Sequence, residues 1–167
     1  MKSDAGKIAY LGLLVAIALI LSYVEAMFPP LIASVPGIKM GLPNIIIIYI
    51  LYRFGFKWAM GVSLVRVFIV SLLFGNVMSL WYSLAGAILS LSLMALLKRW
   101  DKFSTVGVSI VGGISHNLGQ VLVAILLLEN AKIGYYMIVL TVSGIVAGTF
   151  IGIIAALIIK YLKNVKL

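Results

Sequence analysis

Long apolar runs broken by short polar or basic interruptions set the rhythm of this chain. Six runs can be marked, at about 7–28, 43–56, 58–74, 78–97, 105–128 and 135–161. A helix needs roughly 20 apolar residues to cross a hydrocarbon core of about 30 Å, and most of the runs approach that length. Amides in lipid must find partners within their own segment, so the runs predict helices rather than open strands. The run at 43–56 is short for a crossing. Pro43 suits the first turn of its helix. The segment before it, Pro29 to Lys39, carries three of the four prolines, yet half its residues are apolar. It is expected to pack on or dip into the membrane, leaving Lys39 and Asn44 beside a recess. Lys2 and Lys7 ahead of the first run imitate a secretory signal. That run is too long and lacks a small-x-small cleavage site, so it is expected to remain as a span.

The polar positions inside these runs carry the functional information, because each costs free energy to bury in lipid. Ser115-His116-Asn117-Leu118-Gly119-Gln120, with the only histidine, lies in the middle of the fifth run. At about 100° per residue, His116 and Gln120 fall within about 40° of each other. Ser109, Gly112 and Gly113 share their arc, with Asn117 at its edge. Such a face lines either a ligand site or a hydrogen-bonded helix contact. Arg66 sits at the midpoint of the third run, where a guanidinium pairs with an acid, caps carbonyls or meets an anion. Glu25 is the only acid inside an apolar run, near the far end of the first, with Ser22 and Ala18 on its side. Nearly opposite lies a stripe of small residues, Ala5, Ala9, Gly12 and Ala16, fit for close helix approach inside the protein or against a partner. The fourth run presents Ser79, Ser83, Gly86 and Ser90 after a Gly75-Asn76 turn. In the sixth, Gly144, Gly148, Gly152 and Ala156 form a ridge suited to close packing.

Composition changes the picture by fixing the solvent. With 64% hydrophobic residues and a mean hydropathy of +1.25, 167 residues cannot hide their apolar surface from water. The expected class is an all-α integral membrane protein forming one domain over 1–167. A net charge of +9 would suggest nucleic acid in a soluble chain, but the basic residues fall between the apolar runs. Ten of the 13 Lys and Arg residues lie at the termini and in the 53–57 and 98–102 loops, against Lys39 and Lys132 on the other side. The positive-inside rule then places both termini in the cytoplasm of a multi-pass protein of the cell membrane. Glu25, Lys39, Asn44 and Asn76 fall in the outer half, while Arg66, His116, Asn117 and Gln120 lie near the midplane: an outward-opening recess with a cationic floor. No cysteine is present, and one histidine argues against a dedicated metal site.

Several motifs resemble one known family. They are Pro36-Gly37-Ile38-Lys39-Met40-Gly41-Leu42-Pro43-Asn44-Ile45, Arg66-Val67, Leu73-Phe74-Gly75, Ser83-Leu84-Ala85-Gly86, His116 to Gln120, and Ser143-Gly144-Ile145. Together they are similar to the Gx transporter family, often labelled heptaprenyl diphosphate synthase component I. It is grouped with the substrate-binding S-components of energy-coupling-factor (ECF) vitamin transporters. Pro43 departs from the pattern, which has a small residue such as alanine there. The resemblance implies a six-transmembrane-helix bundle with an outward pocket. It also implies a substrate-binding subunit that works with a transmembrane coupling subunit and ATPases. Ala5-x-x-x-Ala9 resembles the A-x-x-x-A surface by which S-components meet that coupling partner. The enzyme label meets a chemical obstacle: prenyl transfer needs clustered aspartates to hold magnesium, and Asp4 and Asp101 are isolated. Nor is there a G-x-x-x-x-G-K-[ST] loop to cradle ATP phosphates. The expectation is a non-enzymatic subunit without cofactor or metal. Its ligand contacts would be Glu25, Lys39, Asn44, Arg66, Asn76, His116, Asn117 and Gln120. The alternative is a non-catalytic accessory of isoprenoid or quinone biosynthesis or of electron transfer, taking a lipidic tail between its helices. A third possibility is a polar core used only for packing.

Overall fold

The computed structural model describes residues 4–27 and 41–164. Six α-helices follow one another: α1 (Asp4–Met27), α2 (Asn44–Phe54), α3 (Phe56–Phe74), α4 (Val77–Arg99), α5 (Thr105–Leu128) and α6 (Met137–Tyr161). Short 3₁₀ turns cover Ala131–Tyr136 and Leu162–Asn164, and no strand occurs among the described residues. Five stretches are long and apolar enough to cross a bilayer: α1, α3, α4, α5 and the continuous Ala131–Tyr161 segment. Large apolar side chains such as Leu72, Leu126 and Ile138 stand about 70% exposed or more on the outer faces. In water such a surface would be an aggregation liability; against acyl chains it is the natural coat of a multi-pass membrane protein.

The short run gives a short helix. The eleven residues of α2 rise about 1.5 Å each, roughly half a hydrocarbon core. Ile45 through Leu51 are all buried, so α2 is apolar around its whole circumference because protein surrounds it. It does not cross a membrane unaided. Pro43 stands just outside the helix rather than in its first turn, where its missing N–H costs nothing. A turn opened by Gly41, at φ +75°, leads in, with the Asn44 amide donating to the Gly41 carbonyl at 2.8 Å. At the other end Gly55, at φ +92°, turns the chain into α3. The Lys98 ammonium reaches across from α4 and donates to the carbonyls of Leu51 at 2.7 Å and Tyr52 at 3.4 Å. It satisfies two end-of-helix carbonyls that would otherwise lie without partners.

α4, α5 and α6 are knitted backbone to backbone. A Cβ at Gly148 would stand 2.7 Å from the Ile110 Cα, and one at Gly119 would stand 2.7 Å from the Ala85 carbonyl oxygen. Gly144 and Gly152 meet α5 in the same way, so the predicted ridge on α6 is a packing surface. An Asn76–Ser79 capping box starts α4, and Ser104 caps α5. Leu11, Leu14 and Ala18 of α1, the α2 isoleucines, Ala59 and Val62 of α3, Leu91 of α4 and Ile151 of α6 fill one half of the bundle. The other half holds a smaller apolar cluster around Val121 and Leu140, and a cavity.

Candidate functional site

The cavity occupies about 370 Å³ between the C-terminal halves of α1 and α3, the N-terminal end of α2, the length of α4 from Asn76 to Met94, the first part of α6 as far as Ile151, and α5 from Ser109 to Gln120. Its size falls within the usual range for small-molecule sites. Each helix contributes through its polar stripe. α1 brings Ser22 and Glu25, three residues apart and therefore on one face. α2 brings Asn44 and Ile48, one turn apart. α3 brings Arg66 with Val67, Val70, Ser71 and Phe74, while Asn76, Ser79, Ser83 and Ser90 line the α4 side. On α5 the predicted arc of Ser109, Gly112, Gly113, His116, Asn117 and Gln120 faces inward as a block.

Seven of the eight ligand contacts expected from the sequence thus meet in one space: Glu25, Asn44, Arg66, Asn76, His116, Asn117 and Gln120. The eighth, Lys39, lies outside the described residues, as does the expected membrane-packed loop around it. The seven differ in what else they do. The Asn76 side chain accepts from the Ser79 amide at 2.8 Å and is committed to capping α4. Asn117 donates through Nδ2 to the Leu140 carbonyl at 2.7 Å, so it clamps α5 to α6 while it lines the cavity. Ser115 points away, donating back to the Val111 carbonyl at 2.6 Å within its own helix. The His116 ring lies over Gly86: a Cβ there would come within 2.9 Å of Cε1. Gly86 therefore lets α4 approach closely enough for the imidazole to sit between the helices.

The charged pair is placed asymmetrically. Glu25 accepts a hydrogen bond from the Gly41 amide, tying the end of α1 to the turn that begins α2. Arg66 is the eleventh of nineteen residues in α3, and Glu25 is close enough to attract it electrostatically. The Arg66 Nε is buried with no hydrogen-bond partner among the described residues. A buried donor without an acceptor costs about 1–3 kcal/mol, more when it carries charge. Among the described residues, no three His, Cys, Asp or Glu side chains come together as a metal site.

Sequence reasoning missed Val70 and Ser71, which also line the space, and quoted Phe74 and Ser143 within motifs without placing them at the site. Ser143 sits beside the glycine ridge, and that adjacency was the available signal. Ser71 carried none, since α3 has no marked polar face. The stripe Ala5, Ala9, Gly12 and Ala16 is exposed throughout, and a Cβ at Gly12 would touch nothing within 4 Å. It is not a core contact among the described residues.

A helical multi-pass membrane protein with a polar cavity in one half of its bundle is the class these features define. A family model described as heptaprenyl diphosphate synthase component I matches residues 14–158, and the chain belongs to that family. The match spans α1 to α6 and so includes every cavity-lining helix. No curated protein and no solved structure matches the chain.

Proposed function

We propose that this chain is the substrate-binding subunit of an uptake system, a single membrane domain over 1–167 that captures a small molecule from outside. Separate coupling and ATPase subunits would pass the ligand inward. The observation that carries this reading is the convergence of Glu25, Asn44, Arg66, His116, Asn117 and Gln120 on one cavity of about 370 Å³. A core built only for packing would close such a space, because an unfilled polar void forfeits both contacts and hydrogen bonds. Arg66 is the anion or carbonyl contact, and the α5 amides and imidazole orient the ligand. Asn44 and Glu25 stand near the entrance, and Lys39, outside the described residues, keeps the entrance role that the sequence suggests for it.

The charge pattern supports cytoplasmic termini, with the cavity half of the bundle facing outward. In this reading α2, shorter than the five long stretches, counts as the sixth span. The stripe Ala5, Ala9, Gly12 and Ala16 is exposed at the cytoplasmic end of α1, as the docking face for a coupling subunit would be. The chain itself is no enzyme in this reading, and needs neither cofactor nor metal.

The family description favours a second reading, an accessory of isoprenoid synthesis that holds a prenyl or quinone lipid. The lining weighs against it: among the described residues seven serines, four carboxamides and two charged side chains face the space beside Ile48, Val67, Val70, Phe74, Met94 and Ile151, a polar share that a polyprenyl chain would leave without partners. Native mass spectrometry of gently extracted protein decides between them. A retained small polar molecule, with ATPase subunits copurifying, is the expected result; a retained prenyl or quinone lipid would overturn it.

A further inference from the structure

The lining of the cavity is specific enough to narrow the class of ligand, an inference that rests on the substrate-binding reading above. Among the described lining residues only Arg66 and Glu25 carry formal charge, one of each sign. A simple anion placed against Arg66 would also sit in the field of Glu25. A simple cation placed against Glu25 would sit in that of Arg66. At the low effective dielectric of a membrane interior, such like-charge terms weigh heavily. A molecule carrying both charges meets neither penalty.

We propose that the cavity takes a compact zwitterion, amino-acid-like in form, whose carboxylate meets Arg66 and whose ammonium meets Glu25. Three features beyond the charges support it. The Arg66 Nε lacks an acceptor, and a carboxylate taken side-on by the Nε–Nη edge, once the side chain turns that edge to the ligand, supplies one. Glu25 accepts from the Gly41 amide, and a carboxylate with about four acceptor sites can receive an ammonium as well. Among the described lining residues Phe74 is the one carbocyclic ring, so no pair of such rings is present to sandwich a flat aromatic ligand. Ser71, Ser83, Ser109 and Gln120 offer donors and acceptors for a polar body instead. A volume near 370 Å³ sits at the small end of the usual range for small-molecule sites, room enough for a compact metabolite.

The test uses the full chain in lipid nanodiscs and three matched probe sets: the common free α-amino acids, their N-acetyl derivatives and their methyl esters. Acetylation leaves only the anion, and esterification leaves only the cation. For the amino acid that binds best, calorimetry should show both derivatives at least about tenfold weaker, about 1.4 kcal/mol. Glu25→Gln should reverse the preference toward the N-acetyl anion, and Arg66→Gln toward the ester. If Glu25→Gln does not fold, Glu25→Asp keeps the charge but retracts it. That variant should weaken the free amino acid and leave the N-acetyl derivative unchanged. Equal or tighter binding of the N-acetyl derivative to the unaltered protein would overturn the proposal, as would failure of every amino acid to bind. A uniform loss of all probes in Glu25→Gln would also overturn it, reducing Glu25 to a latch on Gly41. A non-zwitterionic polar ligand retained in native mass spectra would sink the zwitterion while leaving the substrate-binding reading intact; a retained prenyl lipid would sink both.

Discussion

Gly148→Ala should destabilise the protein by about 1–3 kcal/mol although it adds one methyl group. The added Cβ would stand 2.7 Å from the Ile110 Cα, 2.9 Å from the Ser109 carbonyl oxygen and 3.1 Å from the Ile110 amide nitrogen. All three neighbours are backbone, so no side chain can swing aside. Ordinary contact begins near 3.4 Å, and α5 and α6 must therefore part by roughly 0.7 Å at this point. That separation also pulls Gly144 off Gly113 and loosens the Asn117–Leu140 bond on the same helix pair. Gly12→Ala is the internal control, because a Cβ there meets nothing within 4 Å. It should be neutral or stabilising by up to about 1 kcal/mol, the intrinsic helix advantage of alanine over glycine. Thermal or denaturant unfolding of both variants in the same detergent measures the difference directly. A Gly148→Ala protein as stable as Gly12→Ala would refute the backbone contact and with it the placement of α6 against α5.

Four further perturbations test the site, its frame and its orientation. Arg66→Gln should leave the unliganded protein equally or more stable if Arg66 serves a ligand, and ligand-induced stabilisation should vanish. Loss of stability restored by a second change, Glu25→Gln, would show instead that the two charges exist to neutralise each other. Asn117→Ala removes a 2.7 Å interhelical bond to Leu140, and should cost about 0.5–1.5 kcal/mol of unfolding free energy. Lys98→Met keeps the aliphatic stem but strips the donor from the Leu51 and Tyr52 carbonyls, and should lower the melting temperature with little change in ligand affinity. Unchanged stability would mean that water serves those carbonyls. In this cysteine-free chain, single cysteines at Ala131 and Ser104 report topology. Impermeant reagent outside intact cells should label the first and not the second, and labelling at Ser104 would reverse the orientation.

The sequence by itself determined the solvent, the class and most of the helices. Hydrocarbon admits few backbone solutions, so long apolar runs with basic punctuation leave little freedom. Within a helix it also determined which polar residues share a face, because 3.6 residues per turn is a local property. The α5 arc from Ser109 to Gln120 was legible for that reason, as was the Ser79, Ser83 and Ser90 face of α4. What α2 does was not legible: a run of seven apolar residues reads alike whether lipid or protein surrounds it, and only the packing of α1, α3 and α6 around Ile45–Leu51 makes it an interior helix. Nor could the chain show that Asn117 has a carbonyl partner on α6, or that Ser71 faces the cavity. It likewise left open whether the α1 stripe turns inward, and the structure leaves it exposed. Those facts depend on how helices rotate and cross relative to one another. That choice is made by glycine contacts between residues far apart in the chain, such as Gly148 with Ile110, and local periodicity carries no record of them.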